Sequence, residues 1–294
     1  MALLYLQVYG WPHAPTLAVK VSQGKTFTKP LLHYTTAYPF WDAVAWALMA
    51  VDTPCAERQG YESVLEHVVV QFVAKCSRIC THELVRHRLA SYAQTSTRIL
   101  GVTGFRHDDS SAGTLYPLVV KAAEGEKEAL ETLCVIPPGD DGSVREACLR
   151  YFRAVIGSRG LNVDQWVRYQ QPDALAAHIM VTTNLREVLH IAELRLHPHA
   201  HWEIRQLVEE LMVALWREHM IPVRTMLVLK RPGLLRAKTK LWEGVREELD
   251  EVKKHVSYST WLKLCSLIRQ AASSSAQGRE EVLAGIGCSS SPQG

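Results

Sequence analysis

The chain has 294 residues, 47% of them hydrophobic and 21% charged, with a formal net charge of +3. This is the make-up of an ordinary soluble globular protein, long enough for one large domain or two small ones. So small a net charge excludes a general polycationic nucleic-acid binder, and any positive field must be local.

The first residues, MALLYLQVYGWPH, lack a basic leader and a long apolar core, so they do not read as a secretory signal. Residues 1–40 mix short apolar runs with Pro and Gly and are predicted as strands and loops. FWDAVAWALMAV (40–51) has helical apolar spacing, and VVVQFVAKC (68–76), β-branched and following QGYES, is predicted as a strand. Residues 78–92 then read as a helix with Ile79, Leu84, Val85 and Leu89 on one face, which would bring Glu83, Arg86 and His87 together on its surface. GVTGFRHDDSSAGT (101–114) is a loop, and 121–134 and 143–156 are amphipathic helices around the Pro-Pro-Gly-Asp turn at 137–140. A helix is predicted over 173–196, beginning after Pro172, and another over 201–217, with Pro222 stopping it. LWEGVREELDEVKKHV (241–256) is a charged amphipathic helix, and the Ser/Gly-rich tail beyond 272 is expected to be disordered.

No run approaches the roughly 18 apolar residues of a membrane span. Seven cysteines (Cys55, Cys76, Cys80, Cys134, Cys148, Cys265 and Cys288) are scattered without a C-x-x-C pair, so free thiols in a reducing cytoplasm are expected.

Chemistry concentrates in RHRLASYAQTSTR (86–98), where Arg86, His87, Arg88 and Arg98 flank Ser91, Thr95, Ser96 and Thr97. Guanidinium forks, hydroxyls and turn N–H groups are the donors a phosphate needs. A solvated helix end is the readier explanation of an arbitrary R-x-R, but here the cations end an apolar helix, hydroxyls follow at once and Arg98 closes the run. A second cluster, NLREVLHIAELR (184–195), carries Arg186, His190 and Arg195 and would alone read as an exposed helix face. His197, His199 and His201 alternate as metal ligands might, but Pro198 interrupts them and no cysteine is near in sequence, so no metal is expected. No G-x-S-x-G, G-x-G-x-x-G or P-loop is present.

Together these stretches resemble the flavin-dependent thymidylate synthases. The signature R-H-R, seven residues, Ser is present as Arg86-His87-Arg88 and Ser96. Asn184-Leu185-Arg186 leads into Leu194-Arg195-Leu196-His197-Pro198-His199-Ala200-His201-Trp202-Glu203-Ile204, similar to the family's N-x-R and L-R-x-x-S-H-A-Q-W-E-I. Upstream, Tyr61-Glu62-Ser63-Val64-Leu65-Glu66-His67 resembles H-E-T-P-F-E-H.

The resemblance implies an α+β fold with a twisted, largely antiparallel sheet flanked by helices. The resemblance covers roughly residues 60–100 and 165–220 and does not extend to the first 50 residues or the last 70. The chain is read as a methylase domain over 1–223, a C-terminal helical extension (224–272) and, from its composition, a disordered tail (273–294). The implied activity is reductive methylation of uridylate C5, with methylenetetrahydrofolate giving the carbon and FAD, reduced by NADPH, the hydride. Arg195 would be catalytic. Ser63, Arg86, His87, Arg88, Gln94, Asn184, Arg186 and His190 would bind FAD. Glu83, Arg86, Gln94, Thr95, Ser96, Thr97, Arg98 and, from another subunit, Arg168 would hold the nucleotide together with Arg195. The family places its sites at interfaces of a cytoplasmic homotetramer, with no nucleic acid or membrane partner.

Glu83 and Gln94 exchange the family's usual amide and carboxylate, and Tyr61, Ile99, His190 and His201 also depart from its pattern. The exchange points to a paralogue accepting UMP, as family enzymes of polyoxin-type nucleoside antibiotic pathways do. The alternatives are an ordinary dUMP-specific enzyme and a flavin- or nucleotide-binding protein without turnover.

Overall fold

In a computed structural model of the protein, the described residues are 1–22, 39–51, 61–96, 112–157, 166–231, 234, 240–273 and 288. In chain order β1 (Ala2–Tyr9) leads to α1 (His13–Ser22), α2 (Phe40–Ala50), a 3-10 turn (Glu62–His67), β2 (Val69–Ser77), α3 (Arg78–Leu84) and β3 (Ala90–Gln94). Then come α4 (Ala112–Glu124), α5 (Lys127–Leu133), α6 (Ser143–Gly157), a second 3-10 turn (Val167–Gln170) and β4 (Ala176–Asn184). The C-terminal part is helical: α7 (Leu185–Arg195), α8 (Trp202–His219), α9 (Val223–Lys230), α10 (Lys240–His255) and α11 (Tyr258–Ser273). The strands form one sheet in the order β1-β2-β4-β3. Leu185 donates to the Val68 carbonyl (2.9 Å) and Gln71 to the Thr182 hydroxyl (3.3 Å), so β2 and β4 run antiparallel. The fold is α+β, as the resemblance implied.

Four predicted elements come out differently. The helix predicted over 121–134 is broken at Gly125 (φ 94°), so that its first residues close α4 and the rest form α5. Residues 1–40 hold the helix α1 as well as β1. The helix predicted over 78–92 stops at Leu84: Ser77 caps its start, accepting from Cys80 N–H (3.2 Å), and the chain then turns into β3. The helix predicted over 173–196 is instead β4 followed by α7. In β4 burial alternates residue by residue, with Ala177, Ile179 and Val181 buried and His178 and Met180 exposed. That is the strand period, and Asn184 marks the switch by capping α7 through the Glu187 N–H (2.9 Å). The turn at 137–140 forms as predicted: Asp140 N–H reaches the Pro137 carbonyl (3.2 Å), and Gly139 takes the positive φ of 82° that this turn requires. The loop predicted over 101–114 lies outside the described residues up to Ala112, where α4 begins.

Cysteine pairing is also corrected. Cys134 is joined to Cys148 and Cys265 to Cys288, whereas Cys76 and Cys80 are buried and take part in no disulfide among the described residues. Cys134 ends α5, which packs on α6, where Cys148 lies. Cys288 is buried, and its carbonyl accepts from Arg269 Nε (2.6 Å). Ser273 closes α11, so disorder from 273 onward does not hold at these two positions. Among the described residues no helix is long and apolar enough to cross a membrane.

The chain divides into two compact units, Met1–Tyr5 with Phe72–Val181, and Leu6–Gln71 with Thr182–Gly294. In the first, Tyr151, Phe152 and Val155 of α6 pack with Val119 and Ala122 of α4, Leu130 of α5, Val167 and Leu175. In the second, α7 packs on the Glu62–His67 turn, and α9 packs against α7, α8, α10 and α11. Residues 224–272, expected as an extension, belong to this second unit.

What holds α9 in place is a carboxylate from α10. Pro222 precedes α9 and supplies no side-chain cap. The fully buried Glu248 does so instead, accepting from the N–H groups of Arg224 (3.3 Å) and Thr225 (2.8 Å), from Arg224 Nε (2.8 Å) and from the Thr225 hydroxyl (2.7 Å). Four donors fill its acceptor positions. Gly244 leaves the room this needs, because a Cβ there would overlap the Arg224 guanidinium. Replacing Glu248 with Ala removes the buried counter-ion of Arg224 and leaves it the weaker, solvent-exposed contact with Glu247 (3.4 Å). The expected loss is about 3–5 kcal/mol of folding stability, read by urea denaturation, and Gly244→Ala should lose about 1–3 kcal/mol by overpacking.

Candidate functional site

In the first unit, the stretch 83–96 leaves α3, turns and enters β3. The Tyr92 hydroxyl lies 2.8 Å from the Leu84 carbonyl and 2.7 Å from that of His87, fastening the turn to the strand after it. Within the turn His87 is buried, while Arg86 and Arg88 are exposed. The two guanidiniums therefore face solvent on either side of a buried imidazole, and the His87 N–H reaches the Leu84 carbonyl (3.0 Å). Gln94, half-buried, donates its amide to the Thr81 hydroxyl (3.0 Å). Glu83 is half-buried, and Ser96 ends the described stretch, exposed. Thr95 joins β3 to β4: its N–H reaches the His178 carbonyl (2.9 Å), and its hydroxyl accepts from His178 N–H (3.1 Å). Thr97 and Arg98, with Ile99, lie outside the described residues.

Arg168 sits in the Val167–Gln170 turn, which packs on α6. Its Nε is buried with no hydrogen-bond partner among the described residues, as are Arg78 Nε and the Tyr151 hydroxyl. Burial pushes the Tyr151 hydroxyl up to about 12, against the opposing pull of the Arg168 and Arg78 charges.

In the second unit, Ser63 is exposed on the 3-10 turn that packs against α7. Asn184 caps α7, so the predicted cofactor residue also has a structural task. Arg186 pairs with Glu66, His190 is exposed, and Arg195 is half-buried in the last turn of α7. Glu187, on the same helix, is buried. Burial raises its carboxyl, opposed by His190, Lys230 and Arg186. Lys230 of α9 pairs with the buried Glu62 and lies 3.9 Å from Glu193, which also binds Arg231. Thus Ser63 and the α7 side chains stand on a framework of charge pairs. His197 and His199 are exposed with rings 5.0 Å apart, and His197 Nδ1 accepts from the His199 N–H (3.4 Å).

Residues 52–220 match the family described as "Thymidylate synthase complementing protein". The chain belongs to the flavin-dependent thymidylate synthase family. The flavin-dependent thymidylate synthase of Pyrococcus furiosus is 30% identical over 208 residues, covering 64% of this chain and 78% of that protein. That of Geobacter sulfurreducens is 35% identical over 154 residues, covering 52% of this chain and 59% of that protein. A crystal structure of the Helicobacter pylori enzyme ThyX, complexed with FAD and dUMP, shares the fold at a TM-score of 0.53 and 18% identity, over 74% of this chain and 96% of that one.

Set beside the flavin-dependent thymidylate synthase signatures, the predicted residues fall into two groups. Glu83, Arg86, His87, Arg88, Gln94, Thr95, Ser96 and Arg168 belong to the first unit; Ser63, Asn184, Arg186, His190 and Arg195 belong to the second. Tyr151 and Arg78 were not singled out from the sequence, because each reads as an ordinary position of an amphipathic helix or a helix start. Tyr151 also makes the electrostatics testable. An unfolded tyrosine loses its proton near 10 and the folded one at about 12, so stability falls as pH rises between those values. By pH 11 the wild type should lose about 1 kcal/mol more than Tyr151→Phe, in urea denaturation compared with pH 9.

Proposed function

We propose that the protein methylates C5 of a uridine monophosphate, taking the carbon from methylenetetrahydrofolate. The observation that carries this reading is the 86–96 run, held in a fixed turn and strand with Arg86 and Arg88 outward, in a chain of this family. The donor set fits an FAD dinucleotide: exposed Arg86, Arg88, Ser63 and His190, with Arg186 and Asn184, supply cations and hydrogen-bond donors for its phosphates and ring edges. His87 holds the turn, and Gln94 contributes from β3. When bound and reduced by NADPH, FAD supplies the hydride that completes the methyl group.

This chain's residues do the orienting. Arg195 stabilises the negative charge that builds on the uracil carbonyls and N3 as C5 becomes nucleophilic. Arg86, Thr95, Ser96, Thr97, Arg98, Arg168 and Arg195 hold the nucleotide. Glu83 and Gln94 face its sugar, with active sites completed between subunits of a homotetramer.

The reading leans to UMP as substrate, alone or beside dUMP. One N–H of the Gln94 amide is committed to Thr81, which holds the amide in place and offers its carbonyl oxygen as an acceptor for a sugar hydroxyl. A ribonucleotide brings one hydroxyl more, and leaving it buried and unpaired costs about 1–3 kcal/mol. An enzyme restricted to dUMP is the alternative.

The test is a paired assay of FAD-loaded protein with methylenetetrahydrofolate, NADPH and either UMP or dUMP, following 5-methylated product by chromatography. Product from UMP is expected; product from dUMP alone overturns the sugar preference, and product from neither overturns the activity. Arg195→Ala should keep its flavin and lose methylation by at least a hundredfold, or about 3 kcal/mol. Retained turnover would remove Arg195 from its role.

A further inference from the structure

Three buried donors in the first unit lack a hydrogen-bond partner among the described residues: Arg78 Nε, Arg168 Nε and the Tyr151 hydroxyl. Their elements are tied to one another. Arg78 opens α3, where its own N–H and that of Ile79 reach the carbonyls of Leu175 (3.1 Å) and Asp173 (3.4 Å). Leu175, Tyr151 and Val167, the residue before Arg168, belong to one core cluster. Both guanidiniums act electrostatically on the Tyr151 oxygen, whose side chain is 1% exposed.

Natively buried donors are almost always satisfied. Three left open in one neighbourhood, two of them cationic, call for a partner that is anionic and offers several acceptor oxygens. A water molecule would meet the hydrogen bonds but bring no negative charge to the two guanidiniums. A phosphate monoester meets both demands, and guanidinium forks match its geometry.

We propose that Arg78 and Tyr151 join Arg168 in binding the phosphate of the uridylate substrate. Arg78 is a second guanidinium there, and Tyr151 a neutral hydroxyl donor fixed by the core. The inference rests on the reading of the chain as a uridylate methylase. Tyr151 keeps its proton across the working range, so it donates rather than repels.

Calorimetric titration of the FAD-loaded protein with UMP and dUMP tests this, with uridine and deoxyuridine measured by competition. Arg78→Gln should weaken nucleotide binding tenfold or more and Tyr151→Phe about threefold to tenfold, with nucleoside affinity unchanged for both. Tyr151→Phe should also raise the Tm of the nucleotide-free protein, since an unsatisfied hydroxyl is gone, while shrinking the rise that UMP produces. A purely structural tyrosine would not move these two in opposite directions. Unchanged nucleotide affinity, or an equal loss for nucleoside and nucleotide, overturns the inference. Loss of retained FAD with intact uridylate affinity also overturns it, assigning the anion to the flavin. A wild type that binds neither nucleotide removes the methylase reading and this inference with it.

Discussion

The second unit depends on one carboxylate. Glu248, buried in α10, caps the start of α9 and neutralises Arg224 beside it. Once α9 is anchored, its far end delivers Lys230 to Glu62 and Glu193, and Arg231 follows to Glu193. Glu62 belongs to the turn that carries Ser63, and Glu193 to the helix that carries Arg186, His190 and Arg195. A residue in the C-terminal helices thereby fixes side chains assigned to cofactor and substrate. The desolvation that raises the Glu248 carboxyl is the cost of this arrangement, and the four donors offset it.

The first unit uses a different device. Its cations face outward, yet a turn of exposed arginines has little reason to hold one shape. Burying His87 and stapling the turn through Tyr92 supply that reason without a regular helix. Gln94 is fixed in the same way by Thr81, so its acceptor oxygen is preorganised. Preorganised donors and acceptors lose less freedom when a nucleotide binds, which is where electrostatic stabilisation gains most.

Much of this was legible in the residues. β2, α2, α8 and α10 follow their apolar periods, and the motif spacing pointed to the family before any geometry. The errors have identifiable causes. In 78–92 the apolar residues fit a helix, but Ala90–Gln94 pairs as a strand, a tertiary choice that local pattern does not encode. In 173–196 one continuous pattern concealed a change of period at Asn184. The disulfides join positions 14 and 23 residues apart, and spacing alone does not give pairing. The trans cap of Glu248 on Arg224 and Thr225 was equally invisible, since it links residues on different helices. The same holds for Tyr151, whose hydroxyl is buried without a hydrogen-bond partner among the described residues only once the unit is folded.

The central claim is that the 86–96 run and Arg195 serve one methyl transfer to uridylate. Its most direct test is a single turnover without oxygen. The purified protein, with its flavin reduced, is given methylenetetrahydrofolate with UMP or dUMP, and the 5-methylated uridylate is counted against the flavin oxidised. One methylated nucleotide per flavin oxidised, and no oxidation when the nucleotide is omitted, is the predicted result. Oxidation without methylated nucleotide, or no bound flavin at all, would contradict the account.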